Sequence, residues 1–361
     1  MRLDPIELDA TLPRSWIHRL TLHDAKALRL LLAGGSVVDW RRASFATLDD
    51  VDRLLSLYDI TLSNRDDRQR LRFLFNEAVN YVEHQLKLTV PDAVRNPEDV
   101  RDVFLLASQA ASTRPARLAC TILKLMHVLQ HLEAAELRTR VALPEAELLE
   151  LARKRIVHIA EQMRAEGWPV VAFYGSRKTR QAVITKLLAK RDDVAARIFD
   201  KLRFRMVVHR KADIIPTLTW LLRHLIPFNH VVPGQSHNNL LDPDTVDASL
   251  PDTLRDGPGA EDDVDAPLRA ERSQNVFSGA TYRTINLIFD LPVPIPHDAI
   301  APGDALRLGK VALVQCELQV VDEATAVTNE EGDNAHALYK ARQHEVVRQR
   351  LMGDAEPDDA P

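Results

Sequence analysis

The feature that most constrains this chain is a change of hydrophobic period at Gly167-Trp168-Pro169. Ahead of that break, from Leu22 to about Arg164, apolar residues recur at the i, i+3, i+4 spacing of amphipathic helices. Behind it, short β-prone runs alternate with helical stretches. One segment cannot satisfy both periods, because a helix gathers its apolar side chains every 3.6 residues and a strand every two. The spacing therefore predicts an α+β protein with an all-helical domain over residues 1–165. A second domain over 166–350 carries a mixed sheet flanked by helices, and a disordered tail covers 351–361.

In the first half, Ala27, Leu28, Leu31 and Leu32 open a helix that stops near Gly34-Gly35. Ser44 to Leu57 reads as the next, with Thr47 able to cap it. Arg68 to Leu86 shows Leu71, Leu74, Phe75, Val79 and Val82 on one face. Asp99 to Ser108, Pro115 to Leu137 and Pro144 to Glu166 complete the set, the last with Pro144 as a first-turn proline. In the second half, strands are expected at Val170 to Tyr174, Leu202 to Val208, Tyr282 to Leu291 and Val311 to Val321. Helices are expected at Thr179 to Lys190, Ala212 to Leu225 and Asn334 to Met352. Residues 242–275 are acidic: from 242 to 271 there are ten Asp or Glu against two Arg, which predicts a disordered loop. The alternative is an acidic regulatory flap that competes with phosphates.

Composition narrows the function. A formal net charge of -5 argues against a wholly basic nucleic-acid binder. Two cysteines, Cys120 and Cys316, with no CxxC between them, exclude a disulfide framework and fit a reducing cytosol. The first residues hold no apolar core of a signal peptide, and no run approaches a membrane span. A cytoplasmic protein with no membrane partner is expected.

Charge is nevertheless concentrated. Between Arg177 and Lys211 stand twelve Lys or Arg against three Asp. Arg177, Lys178, Arg180 and Lys186 surround a strand-to-helix turn, where free N–H groups and the helix dipole favour an anion. A solvated face is the alternative. Asp200 precedes the alternating apolar and basic strand, and Glu317 interrupts an otherwise apolar one. Glu317 and Gln319 share a face. If Asp200 and Glu317 converge, they offer hard oxygen ligands to Mg²⁺.

In this order of elements the second half resembles the synthetase domain of RelA/SpoT proteins, a nucleotidyltransferase-like domain. Those proteins make (p)ppGpp by moving pyrophosphate from ATP to the 3′-hydroxyl of GDP or GTP. Ser176-Arg177-Lys178 with Lys186 resembles the family's ATP-phosphate segment. Asp200 to Arg205 resembles its Asp-x-x-x-x-Arg motif. Tyr282-Arg283-Thr284-Ile285-Asn286 resembles the Tyr-x-Ser-Leu-His strand, Glu317-Leu318-Gln319 the Glu-x-Gln strand, and His336-Ala337-Leu338-Tyr339-Lys340 the His-x-x-Tyr-Lys helix opening. The resemblance implies Mg²⁺ held by Asp200 and Glu317, with ATP as donor. It implies ATP phosphates gripped by Arg177, Lys178, Lys186 and Arg205, and an acceptor base stacked on Tyr282. Gln319, His336 and Lys340 join the nucleotide site. GDP, GTP or another purine nucleotide would be the acceptor, or the 3′ end of tRNA.

The departures touch the ATP-phosphate segment and the acceptor side, and the acceptor side has changed more than the metal side. Ser176 and Ala182 replace the Arg and Ser of the basic segment, with Arg177 standing in one residue along. Ser278 to Thr281 replaces an Asn-Gly, and Asn286 replaces the histidine. These changes make a catalytically degenerate nucleotide-binding regulator the rival reading. A helical interaction protein with a purely structural second half is a third. The first half lacks the His-Asp hydrolase signature of long RelA/SpoT enzymes. His127 and His131, four apart on a helix, suit one metal by spacing but read as packing residues, as do Cys120 and Cys316. Phe228 to His230 and Pro233 to Asn239 read as loop.

Overall fold

The computed structural model describes residues 21–33, 45–109, 113–177, 179–189, 202–232, 235–242, 281–301, 303–331 and 336–352. The expected acidic loop, apart from Asp242, and the expected tail beyond Met352 lie outside these residues, as does the Gly34-Gly35 stop.

Seven helices precede the sheet among the described residues: α1 (Leu22–Ala33), α2 (Leu48–Leu57), α3 (Arg65–His84), α4 (Asp92–Arg95), α5 (Arg101–Ala107), α6 (Arg114–Arg140) and α7 (Glu145–Ala165). Their starts follow from side chains that replace missing intrahelical partners. Thr47 accepts from the Asp50 N–H while the Asp50 carboxylate accepts from the Thr47 N–H, a reciprocal capping box at α2. Asn64 caps α3 and Thr113 caps α6. Pro144 stands one position earlier than expected, at the N-cap of α7, where its missing N–H costs nothing. The buried stripe of α3 contains Leu71, Leu74, Phe75, Val79 and Val82, as its spacing requires. Phe75 is fully buried, worth about 3 kcal/mol of transfer free energy.

The break in period is built by a left-handed glycine. Gly167 has φ of 76°, its N–H donates to the Arg164 carbonyl, and the Trp168 N–H donates to the Met163 carbonyl. That pair of bonds closes a Schellman motif and turns the chain into the sheet.

The second half runs β1 (Val170–Arg177), α8 (Arg180–Ala189), β2 (Leu202–Val208), α9 (Ile214–His224), β3 (His237–Asn238), β4 (Ile285–Pro294), α10 (Asp304–Leu308), β5 (Val311–Asp322), α11 (Glu323–Glu330) and α12 (His336–Met352). The five strands form one mixed sheet in the order β1-β2-β5-β4-β3. Only β2 and β5 pair in parallel. Phe204, Leu287, Phe289 and Leu318 are buried in its apolar layer, and Phe173 stacks on Phe204 at 5.5 Å. The fold is the expected α+β arrangement of helices followed by a flanked mixed sheet.

Several boundaries differ from the sequence expectation. β1 continues through Gly175 to Arg177, because Gly175, Ser176 and Arg177 all pair with β2. Tyr282 stands in the turn ahead of β4 rather than on the strand. There, side-chain carbonyls take the backbone donors: Arg283 N–H donates to Asn329 Oδ1 at 3.0 Å and Thr284 N–H to Asn239 Oδ1 at 2.7 Å. Part of the expected loop at 233–239 is strand β3, paired with β4. Helix α11 was not expected; Asp322 caps it by accepting from the Thr325 N–H at 3.1 Å.

One apolar core runs from the helices into the sheet, joining residues such as Leu54 and Leu123 to Val314 and Leu318. Buried arginines reinforce the junction. Arg70 donates to the Leu306 and Arg307 carbonyls and pairs with Glu133. Gly309, at φ 78°, leaves room for it: a Cβ there would lie 3.3 Å from Arg70 Nε. Arg155 on α7 bridges the Pro292 and Leu57 carbonyls, tying β4 to α2.

Candidate nucleotide site on the polar face of the sheet

Strand alternation and register put two polar rows across the sheet. One row passes through Ser176, Arg203, Glu317 and Ile288. The next passes through Tyr174, Arg205, Gln319, Asn286 and His237. Each partner set lies on neighbouring strands at the same level, so its side chains emerge together.

Glu317 is buried, with 5% of its surface exposed. Its Oε1 accepts from Arg203 Nε at 3.1 Å, Arg203 Nη2 at 3.0 Å and Gln319 Nε2 at 3.1 Å. The Tyr282 hydroxyl donates to Gln319 Oε1 at 3.4 Å, which brings the turn before β4 into the same group. Arg205 Nη1 donates to Glu330 Oε1 at 2.7 Å. Its Nε and Nη2 are buried with no hydrogen-bond partner, and so is Asn286 Oδ1. A buried unpaired polar group costs about 1–3 kcal/mol, more when charged. The second row thus carries two guanidinium donors and one amide oxygen in need of partners.

His237 sits at the end of that row. Burial pushes its imidazolium below the ordinary histidine range, against the opposing pull of the nearby Glu317 charge.

The sequence-derived candidates divide into three groups. Arg205, Glu317, Gln319 and Tyr282 come together around the polar rows. Arg177 is exposed at the end of β1, and Lys340 is exposed on α12. Helix α12 packs on α8, where Arg350 donates to the Leu188 carbonyl at 2.8 Å. Asp200 and Lys178, and the side chains of Lys186 and His336, lie outside the described residues.

The chain is similar in structure to small alarmone synthetases. Small alarmone synthetase 2 from Bacillus subtilis is 15% identical, with a TM-score of 0.33, over 57% of this chain and 89% of that one. Small alarmone synthetase 1 from Bacillus subtilis, bound to its product pppGpp, is 13% identical, with a TM-score of 0.32, over 57% of this chain and 88% of that one. No protein-family model and no curated protein matches the sequence. These overlays are distant; the chemistry of the site rests on its own residues.

That chemistry fits a hard cation beside phosphate. The Glu317 carboxylate and the unpartnered Asn286 Oδ1 are oxygen donors of the kind Mg²⁺ takes. Guanidinium groups in the adjacent row suit phosphate oxygens, which they bind through forked hydrogen bonds.

Arg203 was missed as a site residue although its signal was visible. Arg203 and Arg205 alternate with apolar residues on one strand, which places both on a single face. His237 and Glu330 could not be read the same way. His237 reaches the site through a two-residue strand, and Glu330 through the unexpected helix α11.

Proposed function

We propose that this protein transfers pyrophosphate from ATP to the 3′-hydroxyl of a purine nucleotide, with Mg²⁺, in the manner of (p)ppGpp synthetases. The observation that carries the reading is the pairing of a buried carboxylate, Glu317, with the unpartnered guanidinium donors of Arg205 one row away. The ordered motifs from Ser176 to Lys340 support the same reading. In this proposal residues 166–350 form the catalytic domain and residues 1–165 a helical domain that restrains or supports it.

The acceptor oxygen would attack the β-phosphorus of ATP. A bond from that oxygen to phosphorus forms, the bond from phosphorus to the α,β-bridging oxygen breaks, and AMP leaves with that oxygen. The acceptor proton passes to Glu317 or to water. Catalysis of this kind is mostly positioning and charge neutralisation. Arg177, Lys178, Lys186 and Arg205 would hold the ATP phosphates and the charge developing on AMP. Tyr282 would stack on the acceptor base, and Gln319, which accepts its hydroxyl hydrogen bond, would orient it. Mg²⁺ would be held by Glu317 and Asp200 and would neutralise phosphate charge.

A second reading has its own observation. Arg203 already neutralises Glu317 through two hydrogen bonds to one oxygen. A carboxylate so engaged suits a nucleotide-binding regulator without turnover. All three of the Glu317 bonds converge on Oε1, and the active reading assigns the cation to Oε2.

Incubation with γ-labelled ATP, Mg²⁺ and a panel of acceptors, including GDP, GTP and tRNA, decides between them. AMP formed in step with a labelled acceptor, and lost in Asp200→Ala, supports transfer. Tight nucleotide binding without AMP supports the regulator. Absence of any nucleotide binding overturns both.

A further inference from the structure

We infer that His127, His131 and His230 form a site for one divalent transition-metal ion of the zinc class that clamps helix α6 to the turn after α9. His127 and His131 lie one turn apart on one face of α6. The fold brings His230 to them from the short turn after α9, and the ring centroids lie 4.2–5.1 Å apart. One ring nitrogen from each lies within 4.8 Å of the others. A tetrahedral zinc ion with bonds of about 2.0–2.1 Å separates its ligand atoms by about 3.3 Å. Small side-chain rotations close that difference. Asp290 on β4 stands beside His131, with Oδ2 3.6 Å from His131 Nε2, outside the three-histidine set.

The hydrogen bonds around the rings already point the free nitrogens inward. His230 Nδ1 lies 2.8 Å from the Asp290 carbonyl, and His131 Nδ1 3.2 Å from the His127 carbonyl. A carbonyl only accepts, so each Nδ1 carries the hydrogen and each Nε2 keeps a bare lone pair. Backbone carbonyls behind ligand histidines are the usual outer support of a metal site. His127 is backed by Asn229, 2.9 Å from its Nδ1, and Asn229 is held in turn by the Tyr58 hydroxyl at 2.6 Å. As Asn229 stands, its Oδ1 accepts from Tyr58 and its Nδ2 donates to His127 Nδ1, so His127 ligates through Nε2 once the amide turns and the Tyr58 hydroxyl takes the acceptor role.

Two of these nitrogens lack any other use. His127 Nε2 and His230 Nε2 are buried with no hydrogen-bond partner, on side chains in residues 5% and 1% exposed. Both rings are buried, at 5% and 1% exposed, and burial favours the neutral imidazole, the form that ligates metal. Three imidazoles favour zinc, cobalt or nickel over Mg²⁺, which prefers oxygen.

The test uses the full chain without a histidine tag. Elemental analysis is expected to find one zinc-class ion per chain. Stripped protein should take up one equivalent of Co²⁺ with the visible bands of four-coordinate cobalt. Zn²⁺ at a hundredfold over its Kd should raise Tm by about 5 °C. His131→Ala, at a half-buried position, should weaken binding at least 10–100-fold while circular dichroism stays unchanged. No uptake of Co²⁺ or Zn²⁺ by the wild-type chain would overturn the proposal and leave a packed histidine cluster. Equal affinity in His131→Ala would overturn it as well.

Discussion

Among the polar groups that interrupt the described core, two are built from opposite materials. The sheet-face group joins guanidinium and carboxylate around Arg203, Arg205 and Glu317. The junction group holds neutral imidazoles, His127 and His230, behind an amide and a phenol. Formal charge survives burial when a counter-charge or hydrogen bond offsets the lost hydration. Imidazole escapes that cost by releasing its proton, and it then offers a lone pair instead of a charge. The first material suits phosphate and a hard cation, the second a borderline metal. The same chain thus keeps two chemistries apart by composition.

The comparison can be broken at either end. The largest expected effect is from Glu317→Gln, which keeps the shape and removes the charge. Pyrophosphate transfer should fall about 10²–10³-fold, measured as AMP release, with the zinc-class metal content unchanged. Unaltered turnover would remove Glu317 from the chemistry. Next is Arg205→Met, which deletes donors that lack partners in the free protein. A charged hydrogen bond contributes about 1.5–3 kcal/mol, so nucleotide affinity by calorimetry should weaken roughly 10–100-fold. Folding stability should barely change or rise, since the unpaired donors are gone. A large loss of stability with unchanged affinity would reverse that assignment.

Tyr58→Phe probes the junction alone. It removes the hydroxyl that donates to Asn229 and should cost about 1 kcal/mol in a denaturant titration. Nucleotide binding should be untouched. The smallest effect concerns a pair outside both groups. Burial would raise the Asp24 carboxyl, but hydrogen bonds and charge from Arg223, with bonds from Thr21, hold it below its ordinary value. A depressed folded value means stability that is present above the unfolded carboxylate range, near 3.9. It is lost as pH falls through the folded value, at no more than about 1.4 kcal/mol per pH unit. The slope below pH 4 should shrink in Asp24→Asn, read from denaturation midpoints. An unchanged slope would assign the acid sensitivity elsewhere.

Much of the helical half was legible because its information is local. Thr47 announces a cap for α2, and the stripe from Leu71 to Val82 needs one face to bury. The strands of the second half were legible from alternation, but their ends were not. Tyr282 was read onto β4 because it adjoins the apolar run. Asn239 and Asn329, forty residues or more away, take the backbone donors that would have extended the ladder. Helix α11 escaped notice because eight residues with no apolar stripe carry little periodic signal.

The candidate site shows the same division. Glu317 and Gln319 were readable as a polar pair in an apolar strand. Arg203 was readable as one of two basic residues on a face of β2, but its pairing with Glu317, 114 residues away, was not. His127 and His131 were seen together, yet without His230 they had only the meaning of a packed pair. Zone 242–275 offered composition alone.

By itself the sequence determined the α+β class, the turn in period at Gly167, the Thr47 cap and the polar residues that break apolar strands. These depend on contacts within a few residues, where chain geometry leaves little choice. Only the tertiary structure decided the strand order β1-β2-β5-β4-β3, and with it which charged residues share a row. It also decided that His230 closes on α6 and that Arg203 answers Glu317. Such pairings are chosen by how the layers bury their apolar surface, a property of the whole chain that no local spacing encodes.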